Sequence, residues 1–259
     1  MEIKYVFVLL FLLALTYFWW KIFFAKKEFT RQEFSGKWRI MLKRKVRFYR
    51  NLNDAEKDRF EQSMLRFLDD VTITGVELVV DDRDRILVAA SAVIPLFGFP
   101  DWRYRNLNEV LLYEGSFSDT YQTKDGKRNI LGMVGTGAMS KMMILSKPAL
   151  HQGFKNKRSK SNVGIHEFVH LLDMADGATD GIPEMLMKRQ YVIPWLHEMH
   201  KEIKQIKQRK SNINPYGATN EAEFFSVASE YFFNQPKQFS KDYPELFELM
   251  EEIYRQDLA

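Results

Sequence analysis

The 259-residue chain has no cysteine. Disulfides and thiolate metal ligands are therefore excluded, and any bound metal must be held by histidine, aspartate, glutamate or water. An excess of charge is nearly lacking as well. Lysine and arginine number 38 against 34 acidic residues, a net +4. That surplus does not by itself point to nucleic acid, and no direct nucleic-acid binding is expected. The sequence has no low-complexity tract and no repeat at solenoid or propeller period. Past its N-terminus it has no Pro/Gly/Ser-rich linker, so residues 28–259 read as one domain. Basic residues do gather locally, in "KWRIMLKRKVRFYR" and "KNKRSKS", which read as solvated helix faces and a loop.

Only one long apolar run is present. Tyr5 to Trp20 reads "YVFVLLFLLALTYFWW" without a charge, and "IFFA" continues it past Lys21. With Lys21 reaching to the interface, this is about 20 apolar residues, enough to cross a hydrocarbon layer. Tyr17, Trp19 and Trp20 supply an aromatic belt. A small-x-small cleavage site is absent, so the segment reads as a retained anchor over residues 1–27 with residues 4–25 in the bilayer. Lys4 stands before it, whereas Lys21, Lys26, Lys27 and Arg31 stand at its far end. The positive-inside rule puts the following domain in the cytoplasm, giving a single-pass protein of the inner, cytoplasmic membrane.

The rest reads as α+β, mainly helical with a small mixed sheet. "LNDAEKDRFEQSMLRFLDD" opens on a capping box of Asn53 and Glu56, with a stripe of Phe60, Met64, Phe67 and Leu68. "RDRILVAASAVIPLFGF" predicts a buried helix ending near Pro95 and Gly98. "NEVLLYEGSF" and "SKMMILSKPAL" predict strands, with "LGMVGTGAMS" as a loop or hairpin between them. From Asn162 helices return. "EMLMKRQYVIPWLHEMHKEIKQIKQRK" predicts one long helix in which Pro194 would be a kink.

Histidine is scarce, with five in the chain. Two of them fall in "NVGIHEFVHLLD", Asn162 to Asp173. On a helix His166 and His170 lie one turn apart on one face and can present two imidazoles to one point. Glu167 can reach a water held there. Catalytic zinc takes three protein ligands and keeps one position open; its bound water acidifies and a neighbouring carboxylate accepts the proton. The alternative is an amphipathic helix that spells HExxH by accident. The apolar residues Val163, Ile165, Phe168, Val169, Leu171 and Leu172 surround most of that helix, and buried histidines require polar partners, which favours a zinc site. A structural zinc would leave Glu167 without a task and would usually take four protein ligands. No third histidine follows closely, since residues 173 and 176 are aspartates. His197 and His200, among lysines and glutamates, read as surface residues. A downstream carboxylate is then required. Glu223 and Glu230, seven apart in "NEAEFFSVASEYFF", share a helix face, and spacing alone does not choose between them. Asp173 and Asp176 are candidates for orienting a ligand histidine from behind. Met142–Ser146 is a candidate edge strand for pairing with an extended substrate.

"NVGIHEFVHLLDMADG", "DGIP" and "EFFSVASEYFF", together with "AASAVIPLFGFPDWRY" and "VLLYEGSF", resemble the Mlc titration factor A peptidases over roughly residues 30–245. That family is similar in its site to the catalytic domain of anthrax lethal factor. The resemblance implies a zincin-like metallopeptidase domain that binds one zinc ion per chain and hydrolyses peptides or proteins, with an aminopeptidase-like preference. It implies His166, His170 and Glu223 as ligands, Glu167 as general base and Tyr216, seven residues before Glu223, facing the metal. Glu230 then becomes a supporting residue. The family is named for sequestering the transcriptional repressor Mlc, so the resemblance also implies a partner-binding role toward a transcriptional regulator, with weak or no peptidase activity as the alternative.

Overall fold

The computed structural model describes residues 33–115, 132–135, 140–156 and 158–259, with Leu12 and Thr16 beside them. The expected anchor lies outside these described residues apart from those two. Among the described residues no helix is long and apolar enough to cross a membrane. Glu33–Ala259 forms one compact unit.

In this unit three helices come first: α1 (Gly36–Lys45), α2 (Arg47–Asn51) and α3 (Asp54–Asp70). The reciprocal box of Asn53 and Glu56 starts α3 as its sequence predicts. Glu61, buried, ties α3 to α1 and α2 by accepting from Arg39 Nε and Nη2 at 2.8 and 2.6 Å and from Tyr49 Oη at 2.5 Å. Strand β1 (Thr72–Val76) follows, then α4 (Asp82–Leu96). A second capping box, Asp81 with Asp84, opens α4. Every residue from Ile86 to Leu96 is buried, so this helix has no solvent face. Pro95 falls in its last turn.

Strands β2 (Glu109–Tyr113), β3 (Gly132–Val134) and β4 (Met142–Ser146) complete a four-stranded sheet of order β1-β2-β4-β3. β1 and β4 both run parallel to β2, with Ile73 opposite Val110 and Val110 opposite Met143. β3 pairs antiparallel with β4, Met133 opposite Ile144. The sheet is therefore mixed, as expected, but β4 is not an edge. It is hydrogen-bonded on both sides, and its Met143, Ile144 and Leu145 are fully buried. The edge next to it is β3.

Helices α5 (Lys147–Gly153) and α6 (Val163–Asp173) lead into two short 3-10 turns, Met174–Asp176 and Arg189–Tyr191. Then come α7 (Val192–Lys207), a 3-10 turn at Pro215–Ala218, α8 (Glu221–Asn234), α9 (Pro236–Asp242) and α10 (Pro244–Tyr254). The segment expected to be one long kinked helix begins only at Val192. Pro194 sits in its first turn, where an N–H would have no intrahelical acceptor, so it starts the helix rather than bending it.

Helix α6 lies between α4 and α8 and beside β3. Its contact with α4 is close enough to require glycine: a Cβ on Gly164 would fall 2.2 Å from Ser91 Oγ. Phe168 on α6, Phe224 and Phe225 on α8 and Trp195 on α7 are all fully buried. Phe168 packs on Phe67 of α3 and on Tyr104, and Phe224 and Phe225 pack on Trp195, so at about 1.5–3 kcal/mol for each large apolar side chain removed from water these contacts hold α6 against α3 and α8 against α7.

Candidate metal centre

Asn162 caps α6, its Oδ1 accepting from Ile165 N at 3.3 Å. One turn in, His166 and His170 bring their Nε2 atoms 3.1 Å apart. The first turn of α8 supplies the third group. Asn220 Oδ1 accepts from Glu223 N at 2.8 Å, which is half of a capping box. The other half is not made. The Glu223 carboxylate turns away from its own helix end, with Oε2 3.0 Å from His166 Nε2 and 3.4 Å from His170 Nε2. Tyr216, in the preceding turn, donates from Oη to Glu223 Oε1 at 3.2 Å. Its ring faces that of His166 at 6.0 Å between centroids.

Two lone-pair nitrogens and a carboxylate oxygen thus converge at 3.0, 3.1 and 3.4 Å. A tetrahedral ion with bonds of about 2.0–2.1 Å needs ligand atoms about 3.3 Å apart. The triangle fits that requirement, and the nitrogen and oxygen donors suit zinc in a chain without thiols. Among the described residues these three form the one group with metal-ligand geometry. His197 and His200 are exposed on α7, as their sequence context predicts. The fifth histidine, His151, meets Asp84 Oδ1 at 2.7 Å instead.

Behind the triangle, Glu230 lies two turns along α8 from Glu223. Its Oε1 is 2.8 Å from His166 Nδ1, and its Oε2 accepts from Asn162 N. A proton on His166 Nδ1 therefore donates to Glu230 and leaves Nε2 free toward the triangle. Ser226 does the same for the other ring, its Oγ 3.2 Å from His170 Nδ1. Ser226 escaped the sequence reading. The available signal was position, because 223, 226 and 230 form one helical stripe.

Asp173 and Asp176 do not orient a histidine. Asp173 is fully buried and accepts from Gly181 N at 3.0 Å, with its other oxygen unpartnered. Asp176, exposed at the end of the same turn, accepts from Ala178 N and Glu184 N. The chain leaves α6 after Asp173, so both carboxylates serve the loop that follows rather than the imidazoles one turn back.

Electrostatics follow from burial. Glu167 is buried, which raises its pKa, while the nearby charges of His166 and His170 lower it by less. Burial also works against a charged His166, but its hydrogen bonds to Glu223 and Glu230 outweigh this and raise its pKa. Glu223 is likewise opposed by burial, yet the two histidines hold it well below the usual carboxylate range. Burial and Glu223 push Tyr216 up to about 12. Without a metal, the proton on His166 therefore sits beside the Glu223 carboxylate, in the place where a cation would compete for the same oxygen and nitrogen atoms. β3 closes one side. A Cβ on Gly132 would fall 2.5 Å from Glu167 Oε1, so only glycine lets the edge strand pass the carboxylate.

Fold and site together have the layout of a metal-dependent peptidase: a helix with paired histidines, a following helix with an acidic ligand, and a sheet edge alongside. The chain belongs to the family described as glucose-regulated metallo-peptidase M90, whose model matches residues 20–255. It is 30% identical over 222 residues to Mlc titration factor A of Salmonella arizonae, covering 80% of this chain and 86% of that protein. Mlc titration factor A of Klebsiella pneumoniae is 28% identical over 222 residues, covering 80% and 82%. An uncharacterized protein of Synechocystis sp. is 25% identical over 240 residues, covering 88% and 87%. The two Mlc titration factors belong to the family that the separated sequence motifs resemble.

Proposed function

We propose that the chain is a zinc-dependent peptidase whose ligands are His166, His170 and Glu223. The convergence of their three donor atoms beside the buried Glu167 carries this reading. Zinc held there supplies a Lewis acid and an acidified water. Glu167, its proton affinity raised by burial, takes the water's proton on a carboxylate oxygen and delivers it to the leaving amine nitrogen. Tyr216 stays protonated at neutral pH, and its hydroxyl beside Glu223 supports a donor role toward the carbonyl oxygen as charge develops. Glu230 holds the His166 ring in its tautomer. An extended substrate pairs with the β3 edge rather than with β4. A cavity of about 620 Å³ lined by Trp102, Asn106, Val134, Leu171, Met174 and Met185 adjoins β3 and α6 and suits a substrate side chain. In the same reading residues 4–25 anchor the protein in the inner membrane with residues 28–259 on the cytoplasmic side, which the lysines after the apolar run support.

The test is metal content and hydrolysis on the full chain in detergent, wild type beside Glu223→Ala and Glu167→Ala. One zinc per wild-type chain, lost in Glu223→Ala and kept in Glu167→Ala while hydrolysis disappears, is the expected result. Peptide libraries with free and blocked N-termini then separate aminopeptidase from endopeptidase action. A wild type that takes up no zinc when supplied with it would end the peptidase reading. A second reading, capture of a transcriptional regulator, draws on the name of the relatives, Mlc titration factor. Under it Glu167→Ala retains partner binding, which pull-down of the regulator measures.

A further inference from the structure

Two basic stretches, separated by about a hundred residues in the chain, meet in the fold. Arg44, Lys45, Arg47 and Arg50 from α1 and α2, and Lys155 after α5, line one basin of about 130 Å³. All five are exposed, and among the described residues no carboxylate lines the basin. Its floor is apolar, with Phe48, Ile94, Ile165 and Phe233.

Part of this charge is used locally. Arg47 Nη1 donates to Asn234 O at 3.4 Å, and Arg50 Nη1 donates to Lys43 O and Arg44 O at 3.5 and 3.4 Å. Those carbonyls belong to the C-terminal ends of α8 and α1, and α5 ends at the basin too. Each helix C-terminus counts as roughly half a negative charge, so three contribute about −1.5 against five cations. The basin stays strongly positive. Arg44, Lys45 and Lys155 have no side-chain hydrogen bond or ion pair among the described residues.

We infer that this basin docks the phosphate of an anionic phospholipid and holds the domain against the membrane surface. The inference rests on the anchored reading of residues 4–25. Seven residues, 26–32, join the apolar run to the compact unit, and a chain of that length spans at most about 25 Å. A bilayer is therefore the anionic surface nearest to hand. Attraction of clustered Lys and Arg to acidic headgroups acts over about a Debye length, which is within that reach.

The experiment uses the full chain with phosphatidylcholine vesicles, with and without phosphatidylglycerol. Flotation reports anchoring, and the acylation rates of Lys45 and Lys155, against exposed Lys204 on α7, report occupation of the basin. Expected is flotation with both vesicles and acylation of Lys45 and Lys155 slowed by about tenfold only with phosphatidylglycerol, reversed by salt. Arg44→Gln with Lys155→Gln removes two cations without a side-chain partner among the described residues, and leaves Lys45 as reporter; it loses the protection while keeping the wild-type unfolding transition. Flotation with equal acylation in both vesicles overturns the basin and spares the anchor. Flotation only with phosphatidylglycerol, with protection, spares the basin and overturns the anchor. No flotation with either overturns both. Equal protection by inorganic phosphate in solution, or protection by a single-stranded oligonucleotide and not by phosphatidylglycerol, would reassign the basin to free phosphate or to nucleic acid.

Discussion

Glu230 touches none of the open space of the centre, yet it faces both His166 and the N-terminus of α6. Replacing it by glutamine keeps an oxygen that accepts from one of these groups and removes the charge that favours the Nδ1-protonated tautomer. Glu230→Gln is therefore expected to fold and to bind zinc about 10–100-fold more weakly, read from competition with a chromogenic chelator. Unchanged affinity would assign Glu230 to the fold alone. Gly132 is the converse case, a residue whose lack of a side chain matters. In Gly132→Val the new Cβ meets the Glu167 carboxylate, so peptide hydrolysis is expected to fall by at least about tenfold while zinc stays bound. Loss of metal in that variant would mean that β3 shapes the ligand triangle rather than the base.

At the scale of elements, Gly164 and Ser91 set the distance between α6 and α4. In Gly164→Ala the added methyl meets Ser91 Oγ and, at 2.9 Å, Ser91 Cβ, so the two helices must separate. A loss of about 1–3 kcal/mol is expected by urea denaturation, with Ser91→Ala recovering only part of it because the Cβ remains. What the sequence shows of these elements depends on how local each signal is. The α3 cap, the HExxH face and the shared face of Glu223 and Glu230 follow from helical spacing and were legible. β1 was not, because "TITGV" is short and broken by Gly75. Strand order was not either, since nothing in "MMILS" tells whether β3 lies outside it, and an internal strand was read as an edge. Ser226 stayed hidden because a serine on a helix stripe acquires meaning only when His170 lies opposite it. The two basic stretches read as separate solvated faces until the ends of α1, α5 and α8 brought them to one basin.

At the scale of the whole molecule, the pH dependence of stability isolates a buried charge that the centre does not need. Asp173 is fully buried, and burial raises its pKa from the ordinary 3.8 to about 6. The folded protein thus holds this proton more tightly than the unfolded chain does. Below pH ~4 both states keep it, and the residue costs nothing. As the pH rises from about 4 to 6 the unfolded chain ionises first, so stability falls; above about 6 the loss is complete. A shift of about two units corresponds to about 3 kcal/mol. Asp173→Asn cannot ionise, and its side-chain oxygen still accepts from Gly181 N. Any penalty for burying its amide nitrogen is the same at every pH. Measured on metal-free protein, the stability of Asp173→Asn relative to wild type should therefore be greater by about 3 kcal/mol at pH 7.5 than at pH 4. Parallel pH profiles for the two proteins would show that Asp173 is solvated or partnered in solution. The loop from Met174 to Ile182, which this carboxylate ties to the end of α6, would then be held by other contacts.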